Sequence, residues 1–269
     1  MARIHLKSPG EIAKMQKAGE ITAQILMEIG AEVQVGRTTK EIDDIARDIF
    51  KKYKVANAFY QYRGFPGQLC ISVNEEVVHG SPAFGPSNIR TINDGDVVSL
   101  DVGAIVDGWY GDNAMTVPVG QVDKETLRLL AATEESLFRA ISLVRPGALL
   151  ADVCAAVEGF VRPRGFTVVR EFVGHGIGRE LHEEPQIPNY RPHYKLPRLQ
   201  KGMALAIEPM VNAGTAKVHI LKDGWTVVTA DGKASAHFEH TVIVTDNEPL
   251  IVTARPRIAL PEQLGIEPL

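Results

Sequence analysis

From residue 8 onward, apolar positions recur with the period of a helix. Ile12, Met15, Ala18, Ile21, Ile25 and Ile29 fall three or four residues apart and form one stripe. Ahead of them, Ser8-Pro9-Gly10-Glu11 has the form of a capping box with proline at the first helical position. The stripe runs out near Gly30 or Gly36, where a helix is expected to stop. Thr38-Thr39-Lys40-Glu41 opens a second helix in the same way, with Ile42, Ile45, Ala46, Ile49 and Phe50 on its buried face. Asp123 is predicted to cap a third, carrying Leu127, Leu130, Leu137 and Ile141. A fourth carries Val153, Val157, Phe160 and Val161 and ends near Pro163.

Elsewhere the pattern changes. Residues 69–78, 96–106, 203–212, 225–229 and 236–244 mix alternation with short β-branched runs flanked by Gly or Asp, and each is predicted to be a strand. Two helices, strands, two helices, strands is an α+β order. It contains a repeat. Val35-Gly36 with Ile42, Ile45 and Ile49 matches Pro146-Gly147 with Val153, Ala156 and Phe160 at a shift of 111 residues. Asp94-Gly95-Asp96-Val97-Val98-Ser99-Leu100-Asp101 matches Lys201-Gly202-Met203-Ala204-Leu205-Ala206-Ile207-Glu208 at a shift of 107. Each half thus supplies a helix pair and a strand ending in a carboxylate. We expect one domain over residues 1–250, with halves at about 8–120 and 121–250 facing each other, and an extended tail over 251–269.

Composition narrows the class. Hydrophobic residues make up 45% and charged residues 23% of the 269, enough apolar material for a sizeable core. The formal net charge of −4 gives no reason to expect nucleic acid or an anionic membrane as partner. Two cysteines exclude a disulfide scaffold and fit a reducing, cytoplasmic setting. No secretory signal pattern or membrane-length apolar run is present, so a soluble protein is expected.

The chemistry rests on acids and imidazoles at strand positions. Asp101 ends an apolar run, and Asp112 follows across a Gly108-Trp109-Tyr110-Gly111 turn, where a hairpin would set both carboxylates on one face. Alone, that pair is weak evidence, because carboxylates at strand ends are more often turn or cap residues. Gly174-His175-Gly176-Ile177-Gly178 surrounds one imidazole with glycines in what reads as a connection, and His182 follows in Leu181-His182-Glu183-Glu184-Pro185. His79 precedes a turn in the first half. Glu208 and Glu239 stand in apolar strands, where an unpaired carboxylate is strongly disfavoured. Two Asp, two Glu and one His brought together would repel unless cations neutralise them. Two divalent ions sharing bridging carboxylates balance the charge and suggest a hydrolytic centre.

The blocks Val78-His79-Gly80, Leu100-Asp101-Val102, Gly111-Asp112, Gly174-His175-Gly176-Ile177-Gly178, His182-Glu183-Glu184-Pro185, Ile207-Glu208-Pro209-Met210-Val211 and Phe238-Glu239-His240-Thr241 occur in a familiar order and spacing. From Leu6-Lys7-Ser8-Pro9 to Val242-Ile243-Val244 the chain resembles the methionine aminopeptidases. That resemblance implies the pita-bread fold, two pseudo-twofold halves of helices and antiparallel strands around a central curved sheet. It implies removal of the initiator methionine from nascent proteins when the second residue is small. Carried over position by position, Asp101 would hold one divalent ion and His175 with Glu208 the other, while Asp112 and Glu239 bridge them. The ions could be Co, Mn, Fe or Zn, with a bridging water or hydroxide as nucleophile. Glu208 would shuttle its proton, His182 would stabilise the developing oxyanion, and His79 would contact the scissile amide. The methionine pocket maps to Phe59, Tyr62, Phe65, Cys70, Leu181 and Trp225; Phe59 and Leu181 depart from the cysteine and phenylalanine many members carry there. Asn74 and Ser235 match a Na or K site in the family, or equally cap a loop.

Between His182 and Glu208 lie 25 residues, too few for the helical insertion of the family's second type. The chain therefore resembles the short, bacterial-style first type, without an amino-terminal zinc-binding extension. Such members are expected to act as monomers in the cytoplasm, on nascent chains near the ribosome. Two alternatives share the fold: a proline-directed peptidase, and a non-catalytic pita-bread binding protein. Ligands retained at all five positions weigh against the second.

Overall fold

The computed structural model describes residues 4–260 and 264–267. Four helices form where the apolar stripes and caps place them. Helix α1 (Pro9–Ala31) starts with the Glu11 carboxylate accepting the Ser8 amide at 2.9 Å, and α2 (Thr39–Tyr53) with the Glu41 carboxylate accepting that of Thr38 at 2.8 Å. Helix α3 (Lys124–Ile141) is capped by Asp123, whose carboxylate accepts the amides of Glu125 and Thr126. Helix α4 (Leu150–Val161) follows Leu149 without a side-chain cap and passes into a short 3-10 turn holding Pro163.

Among the described residues fifteen strands, all paired antiparallel, fill the intervals. The first half contains β1 (Ala56–Asn57), β2 (Cys70–Val73), β3 (Glu76–Val78), β4 (Val97–Val106) and β5 (Trp109–Pro118). The second contains β6 (Thr167–Val168), β7 (Gly174–Gly176), β8 (Glu183–Ile187), β9 (Ala204–Ile207), β10 (Met210–Asn212), β11 (Val218–Ile220), β12 (Val227–Thr229), β13 (Ser235–His237), β14 (His240–Ile243) and β15 (Leu250–Ile251). They hydrogen-bond as four sheets: β1-β4-β2 with β5 on β4, β13-β10-β6, β11-β12-β3, and β15-β14-β9-β7-β8. Helices α1 and α2 pack together and α1 lies across β4 and β5. The pair α3–α4 covers β13, β10 and β9 from its own side. Helix α1 approaches the β4–β5 hairpin closely at Gly111, where a Cβ would stand 2.6 Å from the Thr22 hydroxyl.

Three expected strands are broken, and the breaks matter. The run over 69–78 divides at Asn74, which takes φ 55° in a tight turn. The run over 203–212 divides at Glu208-Pro209, and that over 236–244 at Phe238-Glu239. Proline has no amide for a ladder, so the chain leaves one sheet after Ile207 and enters another at Met210. The two breaks touch, with the Phe238 amide donating to the Pro209 carbonyl at 3.2 Å. The centre is thus assembled from separate sheets that exchange strands at these points.

The segment after residue 250 begins as an edge strand on β14. Val252 and Thr253 are buried, and the Thr253 hydroxyl accepts the Thr241 amide at 2.9 Å. Arg255 and Arg257 then pair with Glu134 and Glu135 on α3 at 3.1 and 2.9 Å. Met1 and Ala2, and Pro261 and Pro268 of the expected tail, lie outside the described residues. Cys70 and Cys154 are buried free thiols. Among the described residues no helix is long and apolar enough to cross a membrane.

Candidate metal centre and substrate pocket

The β4–β5 hairpin turns at Asp107-Gly108, both with positive φ, and its register sets Asp101 opposite Ala114 and Gly103 opposite Asp112. Side chains two apart on a strand share a face, so Asp101 and Asp112 are diagonal neighbours on one face of the hairpin. The other ligand candidates come from the second half. His175 pairs with Ala206 on β9, and Thr241 of β14 pairs with the same Ala206 from the opposite side. Glu208 and Glu239 stand at the two strand breaks, where the backbone aims each carboxylate out of its sheet. Several hydrogen bonds fix the halves together, two of them beside the cluster. The Glu239 amide donates to the Ala114 carbonyl at 2.9 Å, and the Thr241 hydroxyl donates to the Asp112 carbonyl at 2.8 Å.

The glycines around His175 form a strand rather than a connection. A Cβ on Gly174 would strike the Ala206 carbonyl, and one on Gly176 the Glu184 carbonyl. They let β7 fit between β9 and β8, which is why a glycine-rich stretch could pair there.

Side chains converge accordingly. Ligand atoms of Asp112, His175 and Glu239 lie within 4.8 Å of one another. His175 Nε2 stands 3.7 Å from Asp112 Oδ2 and 3.5 Å from Glu208 Oε1. Its Nδ1 faces the Gly176 carbonyl at 2.9 Å and must donate there, which leaves the Nε2 lone pair free for a metal. Burial, with the His182 ring adding, pushes the His175 pKa down to about 3, so the ring is neutral.

The four carboxylates show the opposite direction. Burial raises the pKa of each well above the usual range. Neighbouring charge adds to this: Glu208 acting on Asp101, Asp101 on Asp112, Asp112 on Glu208, and Asp112 on Glu239. Asp101 Oδ1, Asp112 Oδ1 and Glu239 Oε1 are buried with no hydrogen-bond donor. Acceptors crowded this way, facing a neutral imidazole nitrogen, fit divalent cations and nothing else in the surrounding chain.

The cluster floors a cavity of about 180 Å³. Phe59, Tyr62, Phe65, Cys70, Leu181 and Trp225 all line it, as do His79 and His182. Phe59 lies over Gly103, which has no side chain to contest the space, and the Leu181 side chain is buried. Trp225 meets the Phe65 ring edge-on at 5.4 Å. His79, at φ 61°, presents its ring edge-on to Phe172 and Trp225, and burial lowers its pKa to about 4. His182 stacks on Tyr62, and its Nδ1 meets the Tyr62 hydroxyl at 2.9 Å.

A family model described as metallopeptidase family M24 matches residues 13–246. The chain belongs to that family. It is 48% identical over 240 residues to methionine aminopeptidase 1 of Bacillus subtilis, covering 89% of this chain and 95% of that one. It is 47% identical to the methionine aminopeptidase of Borreliella burgdorferi, covering 94% and 99%. The crystal structure of methionine aminopeptidase from Thermotoga maritima superposes with a TM-score of 0.89 at 46% identity, covering 94% of this chain and all of that one. Prolidase from Pyrococcus furiosus shares the fold alone, at 22% identity and a TM-score of 0.72, with 66% of its length covered. Within M24 the chain therefore falls among the metallo-aminopeptidases that remove N-terminal methionine, and the proline-directed and non-catalytic alternatives are not favoured.

Four residues in or against the site are absent from the sequence reading. Arg63 lines the cavity, Phe84 stacks on Trp225, Phe172 packs on His79, and His237 Nε2 stands 3.5 Å from Glu208 Oε2. His237 lies two positions before Glu239, the spacing of side chains on one strand face, and that was the available clue. Asn74 and Ser235 are also adjacent. The Asn74 carbonyl accepts the Ser235 amide at 2.8 Å, its side chain bonds Asp96 and Val97, and the Ser235 hydroxyl donates to Asn212.

Proposed function

We propose that Asp101, Asp112, His175, Glu208 and Glu239 hold a pair of divalent ions, and that this centre hydrolyses the bond after an N-terminal methionine when the next residue is small. The observation that carries the reading is the convergence of four buried carboxylates, three of them with an oxygen that has no hydrogen-bond donor, and one neutral imidazole at the floor of an apolar pocket. When bound, the ions supply Lewis-acid polarisation of the scissile carbonyl and lower the pKa of water to near neutral.

The remaining work falls to the chain's own groups. Tyr62, Phe65, Cys70 and Trp225 seat an unbranched thioether side chain. With Nδ1 accepting from the Tyr62 hydroxyl, His182 carries its proton on Nε2 and donates it toward the carbonyl oxygen as negative charge develops. Glu208 takes the proton of the attacking water and returns it to the leaving nitrogen. His79 orients that nitrogen from the opposite wall. A free α-amine belongs at the Asp101 end of the cluster, which restricts the enzyme to chain ends. Nascent polypeptides in the cytoplasm are the substrates this specificity serves, and the protein acts there as a monomer. A third, monovalent cation at Asn74 and Ser235 would stiffen the turn after β2.

The test is hydrolysis of Met-Ala-Ser and Ala-Pro peptides by metal-loaded protein, read by mass spectrometry. Release of methionine with Ala-Pro untouched is the expected result. Cleavage of Ala-Pro alone would overturn the reading.

A further inference from the structure

The loop that supplies Tyr62 also supplies Arg63, a charge that none of these roles uses. Gln61, Arg63 and Gly64 take φ of 64°, 50° and 88°. Left-handed backbone at a non-glycine residue is strained and persists where the surrounding structure holds it. Here it turns the Arg63 side chain back over the Tyr62 ring, with the guanidinium carbon 5.3 Å from the ring centroid, on the wall of the cavity. Arg63 is exposed, and among the described residues no carboxylate forms an ion pair with it. Burial lowers the His182 pKa to about 4, and the Arg63 charge adds to that. The guanidinium is therefore a free positive charge at the mouth of the pocket, held there by a cation–π contact.

What passes the mouth follows from the proposed function, on which this inference rests. The first residue of the substrate is enclosed, so only chain beyond the scissile bond can reach an exposed rim residue. An extended chain advances about 3.3–3.6 Å per residue, which puts the third and fourth residues of the substrate within range of an arginine side chain. We propose that Arg63 is a specificity-determining residue that reads charge just downstream of the second position, favouring polypeptides with Asp or Glu there over those with Lys or Arg. The side-chain carboxylate is the ligand. The terminal carboxylate of a short peptide has the same chemistry, so amidated peptides separate the two sources.

The experiment compares kcat/KM for Met-Ala-Xaa-Ser-amide with Xaa as Asp, Asn or Lys, in wild-type protein, Arg63→Gln and Arg63→Glu. Exposed ion pairs contribute modestly, so wild type should prefer Asp to Lys by about 3–10-fold, expressed in KM rather than kcat. The ratio should approach one in Arg63→Gln, invert in Arg63→Glu, and shrink in wild type as salt shortens the Debye length. A structural loop residue would lower all three substrates together and leave the ratio alone. An Asp-to-Lys ratio unchanged across the three proteins, with the Asn peptide still hydrolysed, would overturn this assignment and spare the parent reading. Failure of metal-loaded wild type to cleave even the Asn peptide would overturn both.

Discussion

The hydroxyl of Tyr62 stands 2.9 Å from Nδ1 of His182, and the two rings stack with centroids 5.4 Å apart. Both residues line the cavity; in the proposed function one is a wall of the methionine pocket and the other the donor to the reacting carbonyl. With the Tyr62 hydroxyl as donor, the proton of His182 sits on Nε2, and the proposed specificity and catalysis then share one hydrogen bond.

Removing that hydroxyl should separate the two. Tyr62→Phe keeps the ring and its packing but leaves His182 free to adopt the other tautomer. Loss of one hydrogen bond of this kind corresponds to about 2–10-fold. Steady-state kinetics on Met-Ala-Ser should show it in kcat, with KM nearly constant. A raised KM at full kcat would assign Tyr62 to binding alone.

His79 and His182 are placed outside the ligand set, and their replacement should show that. His182→Ala and His79→Ala should each lower kcat by about 10²–10³, the usual effect of losing an oxyanion-type donor, while metal content by elemental analysis stays at the wild-type value. Metal lost from His182→Ala with turnover intact at saturating metal would contradict its role.

The segment beyond β15 is held by a buried pair, with Arg255 and Glu134 side chains 1% and 5% exposed and 3.1 Å apart. Burial raises the Glu134 pKa while Arg255 opposes that, so a Glu134 without its partner is strongly unfavourable. Arg255→Met should cost on the order of 3 kcal/mol in denaturant unfolding, and adding Glu134→Leu should recover most of it. A loss within experimental error for the single variant would show the pair to be dispensable.

Substrate range follows from the pocket and the catalytic groups together. In the proposed function the residue after methionine lies against His79 and the cluster, so Gly, Ala, Ser, Cys, Thr, Pro and Val should be accepted there and Lys, Leu and Phe refused. Formyl-Met-Ala-Ser should be inert because its amine is blocked. The chain's own Met1-Ala2 meets the same rule. Mass spectrometry of a Met-Xaa-Ser series decides it; equal cleavage of Met-Lys-Ser and Met-Ala-Ser would remove the steric argument.

The helices were legible because their signals are local. Caps at Ser8, Thr38 and Asp123 and stripes such as Ile42–Phe50 need no distant partner to be read. The candidate ligand residues were named through motif resemblance and charge, and the structure brings Asp112, His175, Glu208 and Glu239 together. Strand breaks at Glu208-Pro209 and Phe238-Glu239 were not, because an apolar run looks continuous until a neighbouring sheet competes for half of it. His175 read as part of a connection because its glycines serve close strand packing, a cause visible only with β8 and β9 in place. Arg63 and His237 were missed for a related reason. Each matters through a neighbour far away in sequence, His182 for the first and Glu208 for the second.

The central claim is that the five-residue cluster binds a pair of divalent ions, and calorimetric titration of metal-free protein with Mn²⁺ under anaerobic conditions addresses it most directly. Wild type should saturate at two ions per chain, with methionine release rising over the same titration. Glu239→Gln should lose the second ion, because one bridging charge is gone and the ions repel. Negligible binding by wild type, or full activity in excess chelator, would contradict the account.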